Sequence, residues 1–304
     1  MNEDIASKIA EHEDYMENNE VLVRPRKAPP ARLVVSSKDM LKIAADALAQ
    51  LKETKPLVHC LTNYVAANLT VNVLMALGAR VAIVDDQTEV TQSQSNSLLV
   101  NVGSLTKAQG DAMRAAVARA NQTARPWVLD PVSIGKLPMR TYLAKELMRR
   151  FPGLIRGNEN ELLELTGIEL PGSDIPSLPA EKLRIEFSRL AAITRSAILF
   201  SSDKDYIFSE NAPIAEVEGC GNFASAVAGF TSAQSAVGAA ILANFTKAKR
   251  FESAVATSLI FSVAAKIANE KANGPASFQV AFLDALYNLK PDDIIKLGKI
   301  KIVD

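Results

Sequence analysis

The chain has 304 residues, of which 48% are hydrophobic and 22% charged, a composition typical of a globular protein with a sizeable core. Its 34 Lys and Arg residues balance 34 Asp and Glu residues, which argues against a nucleic-acid partner and against a polybasic, membrane-binding arm. Small molecules or copies of the same chain are therefore the expected partners.

The two cysteines and two histidines show neither CxxC nor HxxxH spacing, so we expect no disulfide framework and a reducing, cytoplasmic location. The acidic N-terminus lacks the apolar run of a signal peptide, and no stretch approaches the roughly 18–20 apolar residues that span a bilayer. A basic, Pro-rich stretch, VRPRKAPPARL, follows it. We expect residues 1–36 to form a mobile extension and residues 37–304 to form the globular domain.

Short apolar segments then alternate with amphipathic ones. The stretch SSKDMLKIAADALAQL predicts the first helix, with Ser and Asp at its start. Strands are predicted at PLVHCL, RVAIV, SLLVNVG, PWVLDPV, GLIRGN and SAILFSS, with helices between most of them and an almost entirely helical C-terminal third. This pattern predicts an α/β fold with a mainly parallel sheet covered on both faces. Ligands in such folds bind beyond the carboxyl ends of the strands.

Two carboxylates lie at these predicted strand ends. Asp130 ends PWVLD, and Glu161 follows in RGNENE. Acids on adjacent strand-to-helix turns can hold Mg²⁺ through its water shell, or they can be a helix cap and a first-turn acid. Arg156 either reaches a nucleotide phosphate or is a solvated side chain.

Common phosphate-binding motifs give little further guidance. No GxxxxGK[ST] sequence occurs, so a P-loop is excluded. The stretch GCGNFA, from Gly219 to Ala224, mimics a dinucleotide fingerprint, but no acid follows about 20 residues later.

The blocks HCLTNYVAANLTVNVLMALGA, LLVNVGSLT, VLDPVSIG, IRGNENE and GPASFQ together resemble hydroxyethylthiazole kinases, over roughly residues 40–290. The resemblance implies a ribokinase-like three-layer α/β/α fold. It also implies phosphorylation of the hydroxyethyl group of a methylthiazole, with ATP and Mg²⁺, in thiamine synthesis. The family forms trimers with active sites at the subunit interfaces.

The resemblance also implies roles for individual residues. Asp130 and Glu161 match the acids that organise Mg²⁺, and Arg156 matches an ATP-contacting arginine. Asn63 lies in the substrate-pocket segment, and Ile83 stands where the family usually has a thiazole-contacting Met. Ser201 replaces a Thr that contacts ATP.

The remaining family motif, V-T-G-[TA]-G-C, forms an anion hole and contributes a Cys near the attacking hydroxyl. One alignment places VEGCGN on it, so that Asn222 replaces the Cys. The other needs no insertion and places AGFT there, so that Ala228 and Gly229 face the substrate and Thr231 replaces the Cys. We favour the second.

In either alignment the motif is degenerate. The sequence therefore leaves two hypotheses: a thiazole kinase, with altered or impaired activity, or a non-catalytic descendant that binds a nucleotide, a thiazole or a protein.

Overall fold

The computed structural model of the chain describes residues 32–168 and 178–303, and a sheet of nine strands runs through this part. In chain order the strands are β1 Leu57–Leu61, β2 Arg80–Ala82, β3 Ser97–Asn101, β4 Trp127–Asp130, β5 Leu154–Gly157, β6 Ala197–Ser201, β7 Lys204–Phe208, β8 Ile214–Glu218 and β9 Ile300–Val303. Their order across the sheet is β2-β1-β3-β4-β5-β6-β7-β8-β9. The pairings from β2 to β6 are parallel, and those from β6 to β9 are antiparallel.

Helices cover both faces of the sheet. They are α1 Ser37–Thr54, α2 Ala67–Ala76, α3 Lys107–Gln122, α4 Pro138–Met148, α5 Glu159–Thr166, α6 Ala180–Thr194, α7 Phe230–Leu242, α8 Arg250–Asn269, α9 Pro275–Asn288 and α10 Pro291–Leu297. Helices α3–α6 pack on one side, and α1, α2 and α7–α10 pack on the other. The result is a three-layer α/β/α arrangement.

The two sides have separate hydrophobic cores because successive strand residues point to opposite faces. In β3, for example, Leu99 joins the core beneath α7 and α8, whereas Leu98 and Val100 join the core beneath α3–α6. Strands buried on both faces carry near-continuous apolar runs, which explains why these segments were recognisable from sequence.

Local capping explains where several helices begin. Ser36, Thr106 and Asn158 precede α1, α3 and α5, and each accepts a hydrogen bond from the backbone N–H three residues later. The third residue of each helix returns a bond to the cap's backbone N–H, which completes a capping box. The last of these boxes starts α5 directly beyond the end of β5, at the edge where the site lies.

The predicted mainly parallel sheet is confirmed, but the expectation of an almost entirely helical C-terminal third was wrong. That third contains β7, β8 and β9, which extend the sheet as antiparallel strands. They lack continuous buried runs: buried and half-buried residues alternate in Ile214–Glu218, and Ile300–Val303 contains no fully buried residue. This alternation suits strands near the edge of a sheet and makes a weaker sequence signal.

Helix α8 is a buried core helix. Together with the short turn before it, Lys247–Asn269 is long and apolar enough to span a membrane by length and composition, contrary to the sequence expectation. In the structure, 89% of its apolar window is buried inside the domain. Packing against α1, α7 and α9 accounts for this burial.

Most of the predicted mobile extension, residues 1–31, lies outside the described residues. Residues 33–36, which end the predicted extension, belong to the same compact unit as the rest of the described chain. Leu33 and Val35 pack against the core, and the Leu33 N–H donates to the Asn211 carbonyl at 2.7 Å.

Candidate active site

The carboxyl ends of five neighbouring parallel strands bring four of the predicted site residues to one edge of the sheet. Asn63 follows β1, Asp130 ends β4, Arg156 lies near the end of β5, and Ser201 ends β6. Asn101, at the end of β3, pairs in register with Asp130. Parallel strands end on the same side, so residues far apart in sequence converge there.

Asp130 is fully buried and only half satisfied by hydrogen bonds. Its Oδ2 accepts a bond of 2.6 Å from Asn101 Nδ2, whereas Oδ1 has no hydrogen-bond partner among the described residues. Burial raises the pKa of Asp130 to about 7, against the opposing effect of the Arg156 charge and with a smaller contribution from Glu161 in the same direction. An orphaned buried carboxylate oxygen points to a group that the described residues do not supply.

Glu161 lies near Asp130, and its carboxylate is held by two backbone hydrogen bonds. Its Oε1 accepts from the Ser133 N–H and its Oε2 from the Asn158 N–H, both at 2.9 Å. The capping alternative raised from the sequence is therefore realised for Glu161. These two bonds hold the carboxylate rigidly between the turns that follow β4 and β5.

The acids fit a magnesium ion that keeps its water shell. No group of three or more His, Cys, Asp or Glu side chains in the described ranges could bind a metal directly. Mg²⁺ is commonly held by one or two carboxylates together with water and substrate phosphates. The free oxygen of Asp130, with Glu161 nearby, matches that mode of binding.

Asn101 connects Asp130 to the predicted substrate segment, and it was not identified from the sequence. Its Nδ2 also donates to Ser232 Oγ at 3.0 Å, while its Oδ1 accepts from Asn63 Nδ2 at 2.8 Å and from the Gly103 N–H at 2.9 Å. The Asn101 side chain is fully buried and makes hydrogen bonds to these four partners. The available sequence signal was an amide that directly follows the apolar run Leu98–Val100 in the fully buried strand SLLVN.

Asn63 in turn organises the start of α2. Its Oδ1 accepts from the backbone N–H groups of Val65 and Ala66, at 2.9 and 3.0 Å. Gly229 lies against the same turn, since a Cβ added to it would be 2.8 Å from the Ala66 Cα. The structure thus brings together Asn63 and Gly229, two of the predicted substrate-binding residues.

Arg156 is buried, with 3% of its surface exposed, so the alternative of a solvated arginine was wrong. Its Nε donates to Ser201 Oγ at 3.2 Å and to Gln234 Oε1 at 3.3 Å. Gln234 lies on α7, and its Nε2 donates to the buried Asp205 at 2.6 Å. Burial raises the pKa of Asp205, while hydrogen bonds from Ser258 and Gln234 and the nearby Arg156 charge oppose that rise.

A cleft of about 320 Å³ opens above this network. Arg156, Ser201 and Gln234 lie on one side of it, and Thr231 lies at the start of α7. Asp205 and Gln234 were not identified from the sequence. Neither belongs to a recognisable motif, and each acts through partners that are remote in sequence.

The two alternative motif stretches line the same cleft from different elements. Gly229 is the N-cap of α7, with φ of +76°, so the stretch Ala228–Thr231 opens the helix. The stretch VEGCGN instead forms the end of β8 and the turn that follows it, and its Asn222 is exposed at the cleft. The helix start, where the backbone N–H groups of Thr231 and Ser232 have no backbone partner among the described residues, therefore belongs to the alignment that places Thr231 at the Cys position.

Phe230, which replaces a motif glycine in that alignment, does not fill the cleft. Its ring is 3% exposed and packs against Phe261, Phe278 and Phe282, with centroid distances of 4.8, 5.5 and 4.8 Å. The Phe230 backbone N–H donates to the Val227 carbonyl at 3.2 Å, within the turn that precedes α7.

Ile83 lies away from this cleft. It follows β2, the edge strand beside β1, and 48% of its surface is exposed. It is not among the residues that line the cleft above Arg156.

Comparisons with known proteins agree with this architecture. The model of the hydroxyethylthiazole kinase family matches residues 48–292. The hydroxyethylthiazole kinase of Akkermansia muciniphila is 36% identical over 271 residues, which cover 88% of this chain and 98% of that protein. The structure of a hydroxyethylthiazole kinase protein from Pyrococcus horikoshii OT3 has a TM-score of 0.79 at 27% identity, covering 86% of this chain and all of that one.

A ribokinase-like superfamily protein from Enterococcus faecalis V583 has a TM-score of 0.54 at 15% identity, covering 82% of this chain and 94% of that one. At this identity the likeness concerns the fold alone. The expected ribokinase-like three-layer fold is confirmed.

Proposed function

The chain belongs to the hydroxyethylthiazole kinase family, and on that premise we propose that it transfers the γ-phosphoryl group of ATP to the hydroxyethyl group of 4-methyl-5-(2-hydroxyethyl)thiazole. This reaction serves thiamine synthesis or salvage. The observation that carries the proposal is the convergence of Asp130, Arg156 and the N-terminus of α7 at one edge of the sheet.

Arg156 and Ser201 would bind the nucleotide phosphates. The backbone N–H groups of Thr231 and Ser232, at the start of α7, would donate to the phosphoryl group in transfer, because a helix N-terminus favours negative charge. Asp130 and Glu161 would hold Mg²⁺ through water, and that ion supplies charge neutralisation when bound.

The thiazole would lie between the Asn63 turn and the start of α7. Ala228 and Gly229 would border it, and Ile83 would contribute an apolar contact from the end of β2. Thr231 would orient the attacking hydroxyl, with Asn222 as the alternative from the other alignment.

A strong base is not a requirement of this reaction. Phosphoryl transfer proceeds through a loose transition state in most analyses, so that positioning and electrostatic stabilisation dominate catalysis. Replacing the family Cys by Thr231 would therefore slow turnover rather than abolish it. Phe230 borders the cleft without occupying it, because its buried ring packs into an aromatic cluster.

We also propose a cytoplasmic homotrimer with active sites at the subunit interfaces, and neither a nucleic-acid nor a membrane partner. Tyr64 and Val65, directly beside Asn63, are 76% and 63% exposed in the single chain. Large apolar side chains exposed beside a substrate segment support burial by a second copy of the chain. The zero net charge argues against nucleic acid.

The test is a kinase assay with the thiazole alcohol, ATP and Mg²⁺, in which phosphorylated thiazole and ADP are both quantified. We expect product that disappears in Asp130→Ala. Calorimetric binding of both substrates without product would instead favour the non-catalytic alternative. Product formation that survives Asp130→Ala unchanged would contradict the assigned site.

A further inference from the structure

We propose that Gln234 is a positioning residue of the nucleotide site, which holds the guanidinium of Arg156 with its two terminal nitrogens toward the phosphates. This inference rests on the proposed function, because it assigns the phosphate-binding role to Arg156. Asp205 is the fixed anchor from which Gln234 is oriented.

The hydrogen bonds allow only one orientation of the Gln234 amide. Its Oε1 lies 3.3 Å from Arg156 Nε and 3.2 Å from Ser201 Oγ, and its Nε2 lies 2.6 Å from Asp205 Oδ2. An arginine N–H can only donate and a carboxylate can only accept. Flipping the amide would set donor against donor and acceptor against acceptor. Ser258 Oγ donates to the same Oδ2 of Asp205, also at 2.6 Å, and thereby holds the carboxylate in place.

These hydrogen bonds engage only one edge of the Arg156 guanidinium. Gln234 and Ser201 both engage Nε, and the terminal nitrogens Nη1 and Nη2 have no hydrogen-bond partner in the described part of the chain. Arg156 lines the cleft, so these nitrogens border open space. A guanidinium held at Nε keeps its terminal fork available for bidentate binding to phosphate oxygens.

Gln234 also fixes where that fork lies relative to the helix N-terminus. It is three residues after Thr231 on α7, so both side chains lie on the same face of the helix. One rigid element therefore positions the unpaired backbone N–H groups and, through Gln234, the charged fork. Without the amide, the side chain of Arg156 could turn toward Asp205, whose charge attracts it.

The decisive variant is Gln234→Met, which keeps the length of the side chain and removes both hydrogen-bonding atoms. Bonds to charged groups are the stronger ones, so we expect the Kd and the KM for ATP to rise by roughly tenfold to a hundredfold. The Kd for adenosine, which carries no phosphate, and the KM for the thiazole alcohol should stay unchanged. Gln234→Glu should weaken ATP binding at least as much, because it adds a second carboxylate beside Asp205.

Ser235→Ala is the matched control. It is the next residue of α7, fully buried, and its Oγ has no hydrogen-bond partner within the described residues. We expect its ATP and adenosine affinities to equal those of the unmodified chain. Equal losses for ATP and adenosine in Gln234→Met would overturn the proposal, and so would a loss in Ser235→Ala as large as that in Gln234→Met.

Calorimetry on the full chain separates this proposal from the proposed function. If the unmodified chain binds ATP without forming product while Gln234→Met loses ATP affinity selectively, the kinase assignment fails and the role of Gln234 stands. If the unmodified chain forms product and Gln234→Met binds ATP equally well, the role of Gln234 fails and the kinase assignment stands.

Discussion

Gly229 is the position where a single added methyl group should be most informative. It is the N-cap of α7 with φ of +76°, a left-handed conformation that L-residues adopt at a cost. A Cβ at this position would lie 2.8 Å from the Ala66 Cα and 3.3 Å from the Val65 carbonyl oxygen. Both contacts involve backbone atoms, which cannot rotate away. Gly229→Ala therefore combines backbone strain with a collision.

The two costs have separate magnitudes. Placing Ala in the left-handed region costs about 1–2 kcal/mol. Forcing a methyl group into a filled space costs about 1–3 kcal/mol more. We therefore expect Gly229→Ala to lower the free energy of unfolding by about 2–5 kcal/mol. Turnover should fall as well, because the start of α7 and the Asn63 turn must move apart.

Gly167→Ala provides the matched control for strain alone. Gly167 ends α5 with φ of +77°, nearly the same conformation, but a Cβ added to it would have no atom of the described residues within 4 Å. Its expected cost is only the strain of about 1–2 kcal/mol. The effect of each Gly on the entropy of the unfolded chain is common to both variants and cancels in the comparison.

The measurement is urea denaturation of the two variants and the unmodified chain, at one protein concentration, because assembly would otherwise shift the midpoint. The kinase assay follows on the same samples. If Gly229→Ala is no less stable than Gly167→Ala, the close approach between α7 and the Asn63 turn is refuted. If Gly167→Ala loses as much turnover as Gly229→Ala, the functional part of the reasoning fails.

Three further predictions concern the acids and the helix start. The pKa of Asp130 is raised to about 7, so its contribution to stability is present at low pH and is lost as the pH rises from 3.8 through about 7. In metal-free urea titrations, the free energy of unfolding of Asp130→Asn should therefore rise by about 2–3 kcal/mol relative to that of the unmodified chain between pH 5 and pH 8. Asn101→Leu leaves Asp130 and Asn63 without a buried hydrogen-bond partner, so it should lower the free energy of unfolding by about 2–5 kcal/mol and remove most of the turnover. An unchanged urea midpoint would contradict the role of Asn101 in connecting the two residues. Thr231→Cys should raise kcat and Thr231→Ala should lower it, each by roughly tenfold in initial-rate assays, and no change in either variant would remove Thr231 from the reaction.

Much of the central architecture was predictable because its signals are local. Apolar runs such as SLLVN and WVLD mark strands buried on both faces, and the capping residues Ser36, Thr106 and Asn158 mark helix starts within a few positions. Both signals depend on neighbours close in the chain. The rule that parallel strands end at one edge then predicted where Asp130 and Arg156 would meet.

The edge strands and the connecting amides were not predictable in this way. Strands β7–β9 carry weak alternating patterns, and their place in the sheet depends on pairing with one another. Asn101 and Ser232 are 131 positions apart, and Arg156 and Gln234 are 78 apart. A buried amide has no periodicity that reveals its partner.

The sequence by itself determined the order of the first six strands along the chain, the family, and the acidic and basic groups at the strand ends, because each depends on a short stretch of residues. Only the tertiary structure decided which oxygen of Asp130 stays unpaired, which side of Arg156 is held, and that Phe230 turns into an aromatic cluster. The physical reason is that burial and hydrogen-bond geometry depend on side chains that folding alone brings within about 3 Å of each other.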